Sequence, residues 1–538
     1  MRLYQQIRAS IARPAACGVV ALLFAYGMPL SAFGQTPQTP AAGQAATVQP
    51  AAAVQGTPLA IEDAVRMALE NNLGIQAEKL NPQIQVLGIA RANAAFAPAL
   101  FSTVSRRSST APPTDFNTSG GLAISTNANF ATQGGVQQQL KWGANYSVAL
   151  DGSRATTNNT NSLLNPQLGS NLNLAYNQPL LRNFKIDALR QQLMQSRNQA
   201  QIADIQLQQR ITQTSRNVRA AYYQLIGAIS GLEVAQQSLD VARTSYKNNQ
   251  TRVEVGTMAP IDIVTAEAEV ASNEEAVIIQ QAQIESAQDQ LRGLVMNPRQ
   301  PGFWEARFTP SEQPSLAPRQ IDVEAAVKNA LQNRTDLREF RKNMDNTSLN
   351  LAFARNQKLP AVDLNARYGL TGVAGTQLLI DRDTIPATIT PLTTRSFSDA
   401  LRDVFGNDFK TWSFAVSVSY PIGTSIADAA FAQAKIQQQQ EQTSLANLEL
   451  NVTQAVREAG RQVNTNLRRV EATRRARELA EQRLEADNKR FSVGLATTFE
   501  LLQSQRDLAR ARQSELRATI DYNTSLVDFE AVQIAPIR

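Results

Sequence analysis

One unit is written twice along this chain, and the duplication limits the folds open to it more than any other feature. Ala64-Val65 and Ala68-Leu69-Glu70-Asn71 recur as Ala326-Val327 and Ala330-Leu331-Gln332-Asn333; at the same spacing Leu87 falls on Leu349, Ala90 on Ala352 and Pro98 on Pro360. A second alignment places Val218 on Val456, Arg219 on Arg457, Arg252 on Arg490 and Val255-Gly256 on Val493-Gly494. Each half therefore reads as a helix, a proline, a β region, a second proline, a very long helix, a Val-Gly break and a further helix. Proline suits the strand-helix junctions, Pro98, Pro179, Pro360 and Pro421, because it fixes φ and lacks the donor that would extend either element. The first half spans 58–297, with helices over 59–97, 184–254 and 258–297 and a β region over 98–183. The second spans 321–531, with helices over 322–358, 424–490 and 497–531 and a β region over 360–422. A Pro-rich linker, 298–320, joins them, with Trp304 expected to wedge against the helices, and 532–538 is a C-terminal tail.

Ahead of the repeats, three arginines precede the apolar run AACGVVALLFAYGMPL, and Ala32-Phe33-Gly34 offers small residues for cleavage before Gln35, so 1–34 reads as a signal peptide. The alternative, an uncleaved membrane helix, is disfavoured because the run is shorter than the roughly 20 residues that span a bilayer. Cys17 sits at the start of this core, not after it, which argues against a lipid anchor. Residues 35–57, rich in Pro, Ala, Gln and Thr, form a disordered tether. With no His and a single Cys, zinc sites and His-dependent triads are excluded. The 52 basic residues are nearly balanced by 46 acidic ones, which excludes a nucleic-acid footprint. Neither half assembles an acid, base and nucleophile, so no catalytic residue, cofactor or metal ligand is assigned.

The helical segments are loaded with Ala, Gln, Leu, Arg and Glu, strong helix formers. Apolar residues recur at seven-residue spacing at Ile263, Val270, Val277, Ile284 and Leu291, and at Leu501, Leu508, Tyr522 and Phe529, with Glu515 the exception. Ordinary bundle packing would give the same stripe; its mixture with Ala and Gln suits helices standing side by side around a wide space. At 1.5 Å per residue, the long helix of each half measures roughly 100 Å, nearly the sum of its two shorter partners stacked end to end. The run around Arg468-Arg469 and Arg474-Arg475-Ala476-Arg477 carries Glu at three- and four-residue spacing and reads as a solvated, salt-bridged face.

In the β regions, Trp412, Phe414, Val416, Val418 and Tyr420 alternate with small or polar residues, as do Val362, Leu364, Ala366 and Tyr368; Leu172, Leu174 and Tyr176; and Leu140, Trp142, Tyr146, Val148 and Leu150. Such alternation, apolar and aromatic one way and polar the other, is that of lipid-facing barrel strands. A soluble half-buried strand would explain any one of these segments alone. About eight strands are the minimum for a closed membrane barrel, and these are too few, so several copies must share one. Leu122, Ile124 and Phe130 hint at an extra hairpin between Ala99 and Phe130 whose position the sequence does not fix.

From Leu59 to about Glu530 the chain resembles the TolC-type outer membrane efflux family. The resemblance rests on the duplicated layout, on Gln-Pro-Leu-Leu at Gln178 to Leu181, and on RVEVGTMAPID from Arg252 to Asp262 and RFSVGLATTFE from Arg490 to Glu500. It implies a mainly α fold with a β membrane region: two tandem helix-β-β-helix repeats that form, as a homotrimer, a twelve-stranded outer-membrane β-barrel and a long periplasmic α-helical barrel. It also implies a cell outer membrane location in contact with outer membrane lipid, and partnership with a periplasmic membrane-fusion adaptor and an inner-membrane transporter, with no nucleic acid. The expected activity is passive efflux. The same fold also serves type I protein secretion, and a non-channel periplasmic coiled-coil scaffold is a reading of another class.

Carried over by position, Val255, Gly256, Thr257, Val493, Gly494 and Leu495 are the adaptor-docking tips, and Asp262 and Glu500 the carboxylates of the periplasmic entrance. The alternative for both acids is stabilisation of a helix N-terminus. Ala496, Phe491 and Gln503 stand where better-studied members carry latch or acidic-ring residues, so the family's latch hydrogen bonds cannot all form here.

Overall fold

The long helices of the two halves match in length, as do the helices that fold back on them. In the computed structural model, α4 (Ala188–Glu254) and α9 (Ile426–Ser492) each run 67 residues, and the helices that fold back on them, α5 (Ile261–Val295) and α10 (Thr498–Val532), each run 35. The described residues are 56–537 except 113–123, 160–161, 316, 382–387 and 424. The signal segment, Cys17, Leu122 and nearly all of the 35–57 tether lie outside them. Each long helix begins on a side-chain cap: Asp187 accepts from Arg190 N, and Ser425 forms a reciprocal capping box with Asp428. Lys358 and Ser425 hold the Asp428 carboxyl below its ordinary pKa.

The segments expected as single helices at 59–97 and 322–358 share one equivalent break, and the first has a second at Lys79. α1 (Ile61–Asn71), α2 (Leu73–Glu78) and α3 (Leu80–Ala94) divide the first; α6 (Val323–Asn333) and α7 (Thr335–Gln357) divide the second. Asn72 and Arg334, aligned by the duplication, both adopt extended backbone. The breaks sit where a neighbouring helix ends. Asn72 Nδ2 donates to Leu294 O at 3.2 Å and Arg334 Nη1 to Val532 O at 3.1 Å, satisfying carbonyls that α5 and α10 leave unpaired. Thus α5 meets α1 and α2 end to end, and α10 meets α6 and α7.

Two equivalent cores fasten these columns to the long helices. Ala64, Val65 and Ala68 pack with Val218 and Tyr222 in one, and Ala326, Val327 and Ala330 with Val456 and Tyr522 in the other. The flanking ion pairs are repeated too: Arg219–Glu62 at 2.9 Å and Arg457–Glu324 at 2.7 Å. Exposed pairs of this kind add little stability, so burial of the aliphatic groups carries the junction. The strands β1 (Thr57–Leu59) and β6 (Phe308–Pro310) pair in parallel beside the first core. Trp304, expected to wedge against the helices, is 74% exposed; its neighbour Phe303 is buried instead.

The β region is one antiparallel sheet in the order β2 (Ala99–Ala111), β3 (Ser125–Gln139), β4 (Asn145–Thr157), β5 (Leu164–Pro179), β7 (Ala361–Asp381). Along the free edge of β7 lie β8 (Thr388–Arg395) toward its C-terminal end and β9 (Lys410–Ser419) toward its start. Between them the chain leaves the sheet as helix α8 (Phe397–Gly406), which packs on the face containing Gly372. The first half thus contributes four strands rather than two. Leu140 and Trp142, expected in a strand, lie in the turn between β3 and β4, closed by Leu140 N to Ala144 O at 2.7 Å. Registered neighbours place Leu100, Val136, Val148, Leu174, Tyr368 and Trp412 on one face. The adjacent row, Phe101, Gly135, Ala149, Asn173, Gly369 and Thr411, starts the more polar face.

Candidate functional site

Both helix hairpins turn through the same backbone motif. At the first tip, Gly256 N donates to Val253 O at 3.0 Å and Thr257 N to Arg252 O at 2.9 Å; at the second, Gly494 N donates to Phe491 O at 3.2 Å and Leu495 N to Arg490 O at 2.8 Å. This pairing satisfies the last carbonyls of α4 and α9 and requires a left-handed residue just past the helix. Gly256 and Gly494 occupy it, with φ of 77° and 79°. A Cβ at either would meet nothing within 4 Å, so glycine is needed here for its dihedral angle and not for space.

The turns leave apolar side chains facing outward. Val255 and Val493 are each 67% exposed and Leu495 71%, joined by Ile261 and Phe499, which lie within the two motifs but were not among the expected docking residues. All five lie at the ends of the helices farthest in sequence from the sheet junctions. The guanidinium of Arg252 stands over the Phe491 ring at 4.5 Å, linking the two tips. The sequence marked Phe491 only as an aromatic without a hydroxyl at an expected latch position; that it faces Arg252 of the other half is seen only in the folded chain.

The two carboxylates expected at the entrance differ in their surroundings. Glu500 completes a capping box, with Thr497 N donating to its Oε2 at 2.7 Å and Thr497 Oγ1 accepting from Glu500 N at 3.2 Å. The bond from the Thr497 backbone, followed by that from its hydroxyl, holds the Glu500 pKa below the usual carboxylate range. Its side chain remains solvent-exposed, so the charge persists at neutral pH. Asp262 lies in the first turn of α5 with no side-chain cap on that helix.

Behind the tips, polar groups bridge the helix pairs. Buried Glu269 on α5 accepts from Arg506 on α10 at 2.8 and 2.5 Å, and buried Asp487 on α9 accepts from Ser504 Oγ at 2.5 Å. Arg477 pairs with Glu481 at 2.8 Å and Glu515 at 2.5 Å, as expected for a salt-bridged face, and the heptad exception Glu515 is thereby accounted for. Among the described residues no cluster of three or more potential ligands is placed to hold a metal ion, and no helix is long and apolar enough to cross a membrane.

At the opposite ends of the long helices, Pro98 precedes β2, Pro179 ends β5, Pro360 precedes β7 and Pro421 follows β9. The two halves are clipped together there: Leu180 N donates to Val362 O at 2.7 Å, Asn183 N to Asn356 Oδ1 at 2.7 Å and Gln357 Nε2 to Asn183 Oδ1 at 2.6 Å.

Residues 147–295 and 326–532 match the family described as outer membrane efflux protein. A curated relative, Nodulation protein T of Rhizobium leguminosarum bv. trifolii, is 21% identical over 314 residues, covering 57% of this chain and 59% of the relative, less than two thirds of its length. Among solved structures, the outer-membrane channel OprN is similar with a TM-score of 0.62 at 16% identity, over 88% of this chain and 89% of that one. The CmeC outer membrane channel of Campylobacter jejuni follows with a TM-score of 0.60 at 14% identity, over 88% of this chain and 85% of that one. At these identities the structural likeness is one of fold. The family match spans more than half of the sequence and falls in both copies of the repeat, and the chain belongs to the outer membrane efflux protein family.

Proposed function

We propose that three copies of this chain form the outer-membrane channel of a tripartite efflux system, a passive duct from an inner-membrane pump and a periplasmic adaptor to the exterior. The observation that carries this reading is a sheet with one apolar, aromatic-bearing face and one polar face, continuous through proline junctions with two pairs of long helices. A membrane-spanning sheet must close, because an open edge leaves backbone groups unpaired in hydrocarbon, and this one is too narrow to close alone. The exposed residues Val255, Thr257, Val493 and Leu495, carried by the turns at Gly256 and Gly494, are the adaptor-docking surface in this reading. Ile261 and Phe499 extend its apolar area.

Asp262 and Glu500 belong to the periplasmic entrance, where a threefold ring of Glu500 attracts cations and opposes anions. The capping box and the ring use the same charge without conflict, since Glu500 is exposed while it caps. The energy for transport is supplied by the pump.

Planar-bilayer recordings of the purified protein test the proposal. Wild type is expected to conduct with cation preference, and Glu500→Gln to lose part of that preference. An unchanged preference in the variant removes Glu500 from the entrance. Absence of conductance in both favours a periplasmic scaffold, and co-purification with an ATP-driven exporter favours protein secretion over efflux.

A further inference from the structure

We infer that the β3–β4 hairpin is an insertion into the barrel wall, so that three copies close an eighteen-stranded barrel in which β2 of one copy pairs with β9 of the next. This rests on the channel proposed above and specifies the interface between its copies.

The repeat locates the insertion. In the second half the chain leaves Pro360, rises along β7, returns along β8 and β9 and reaches Pro421; in the first it crosses the sheet four times between Pro98 and Pro179. The additional down-and-up passage is β3 and β4. It is not a flap lying on the sheet, since β3 is bonded to β2 over its length and to β4 from Asn127 to Gln139, and β4 is bonded to β5 from Asn145 to Ala155. Nor does its turn hang free. Ala144 is fully buried, and Gly143 lies against Arg190, which donates from Nη1 to Phe184 O at 2.8 Å and from Nε to Asp187 at 3.0 Å. The turn is seated on the start of α4, at the level where the other strands pass into helices.

The sheet therefore has two open edges, the outer side of β2 and the side formed by β8 and β9. β9 is exposed at every residue and β2 at all but Phe101. β2 runs away from the helices and β9 toward them, so between neighbouring copies they meet antiparallel. Their faces agree as well: Thr103 and Ser105 lie on the same face as Ser413, Ala415 and Ser417.

Width supports the count. With strands about 4.8 Å apart and tilted about 40°, twelve strands make a cylinder of about 24 Å and eighteen one of about 36 Å. Each chain supplies four helical columns: α4, α9, and the two stacked columns joined near Leu294 and Val532. Twelve columns at about 9 Å between axes form a ring of about 34 Å. The eighteen-stranded wall meets that ring without a step, and the narrow part of the duct is left to the helix tips.

Disulfide scanning in a Cys17→Ser background tests the wall. Thr103→Cys or Ser105→Cys is combined with Ser413→Cys, Ala415→Cys or Ser417→Cys, and the oxidised outer-membrane fraction is run on non-reducing gels beside native mass measurements. At one register, dimers and trimers that collapse on reduction are expected, with three chains in the native particle. Cross-linking of Ser147→Cys to β9 instead would show that β2 and β3 are displaced from the wall, and overturns the inference. A native particle of another chain number overturns the count of eighteen. Conductance with no β2–β9 cross-link at any register overturns the wall but leaves the channel standing; loss of both conductance and assembly in the wild type overturns the channel itself.

Discussion

Replacing Gly494 by Ala isolates the backbone cost of the hairpin turn. The residue sits at φ 79°, and no heavy atom lies within 4 Å of the position a Cβ would take, so steric overlap drops out. What remains is the intrinsic penalty of placing an L-residue in the left-handed region, about 1–2 kcal/mol. That free energy is local, because the turn is held by Gly494 N to Phe491 O and Leu495 N to Arg490 O and is solvent-exposed. Hydrogen–deuterium exchange on the detergent-solubilised protein should then show the amides of residues 494 and 495 opening about 5–30 times more often in Gly494→Ala. Exchange in the middle of α9 should not change. Gly494→Asn should exchange closer to wild type, since Asn tolerates the left-handed region, and Gly494→Val should be worse than Ala. Equal protection in wild type and Gly494→Ala, or an Asn variant as labile as Val, would refute the argument that the dihedral angle alone selects glycine.

Four further outcomes follow from the same geometry. Thr497→Ala should destabilise the first turn of α10 by about 1 kcal/mol, read as faster amide exchange there. The Glu500 half of that box is pH-dependent: a lowered folded pKa means its stabilisation is present above the unfolded carboxylate pKa and is lost as pH falls through the folded value. Acid should therefore loosen the α10 start in wild type and have little effect in Glu500→Gln. Gly372→Ala would drive a Cβ into the Ala400 carbonyl, so α8 should lift and residues 396–409 become protease-sensitive; Gly134→Ala, with open space around it, is the unaffected control. In Tyr222→Phe the hydroxyl that donates to Leu59 O at 2.8 Å is lost, costing about 1 kcal/mol and raising exchange along the β1–β6 pair, whereas an unchanged rate would show that Ser311 alone holds Leu59.

The sequence by itself determined the features whose signal is local or periodic. Duplication made the two halves equivalent, which is why α4 and α9 have equal lengths and why Arg219–Glu62 is repeated as Arg457–Glu324. Period-two alternation marked β9, β5 and the first part of β7, because each presents apolar side chains to one face only. Val-Gly marked both hairpin turns, because few residues other than glycine accept that dihedral angle. Tertiary structure decided the rest. From Ser105 to Thr110, β2 is polar or charged at every position, so it carries no alternation; it is a strand because β3 supplies its hydrogen bonds. The breaks at Asn72 and Arg334 serve carbonyls more than 190 residues away in sequence, at Leu294 and Val532; Asn72 is also a local helix cap, accepting from Ile75 N, whereas Arg334 makes no side-chain cap. The Arg252–Phe491 contact, the excursion of α8 onto the Gly372 face and the sheet's strand count likewise depend on which edges and faces meet, and such meetings are fixed only when distant segments pack.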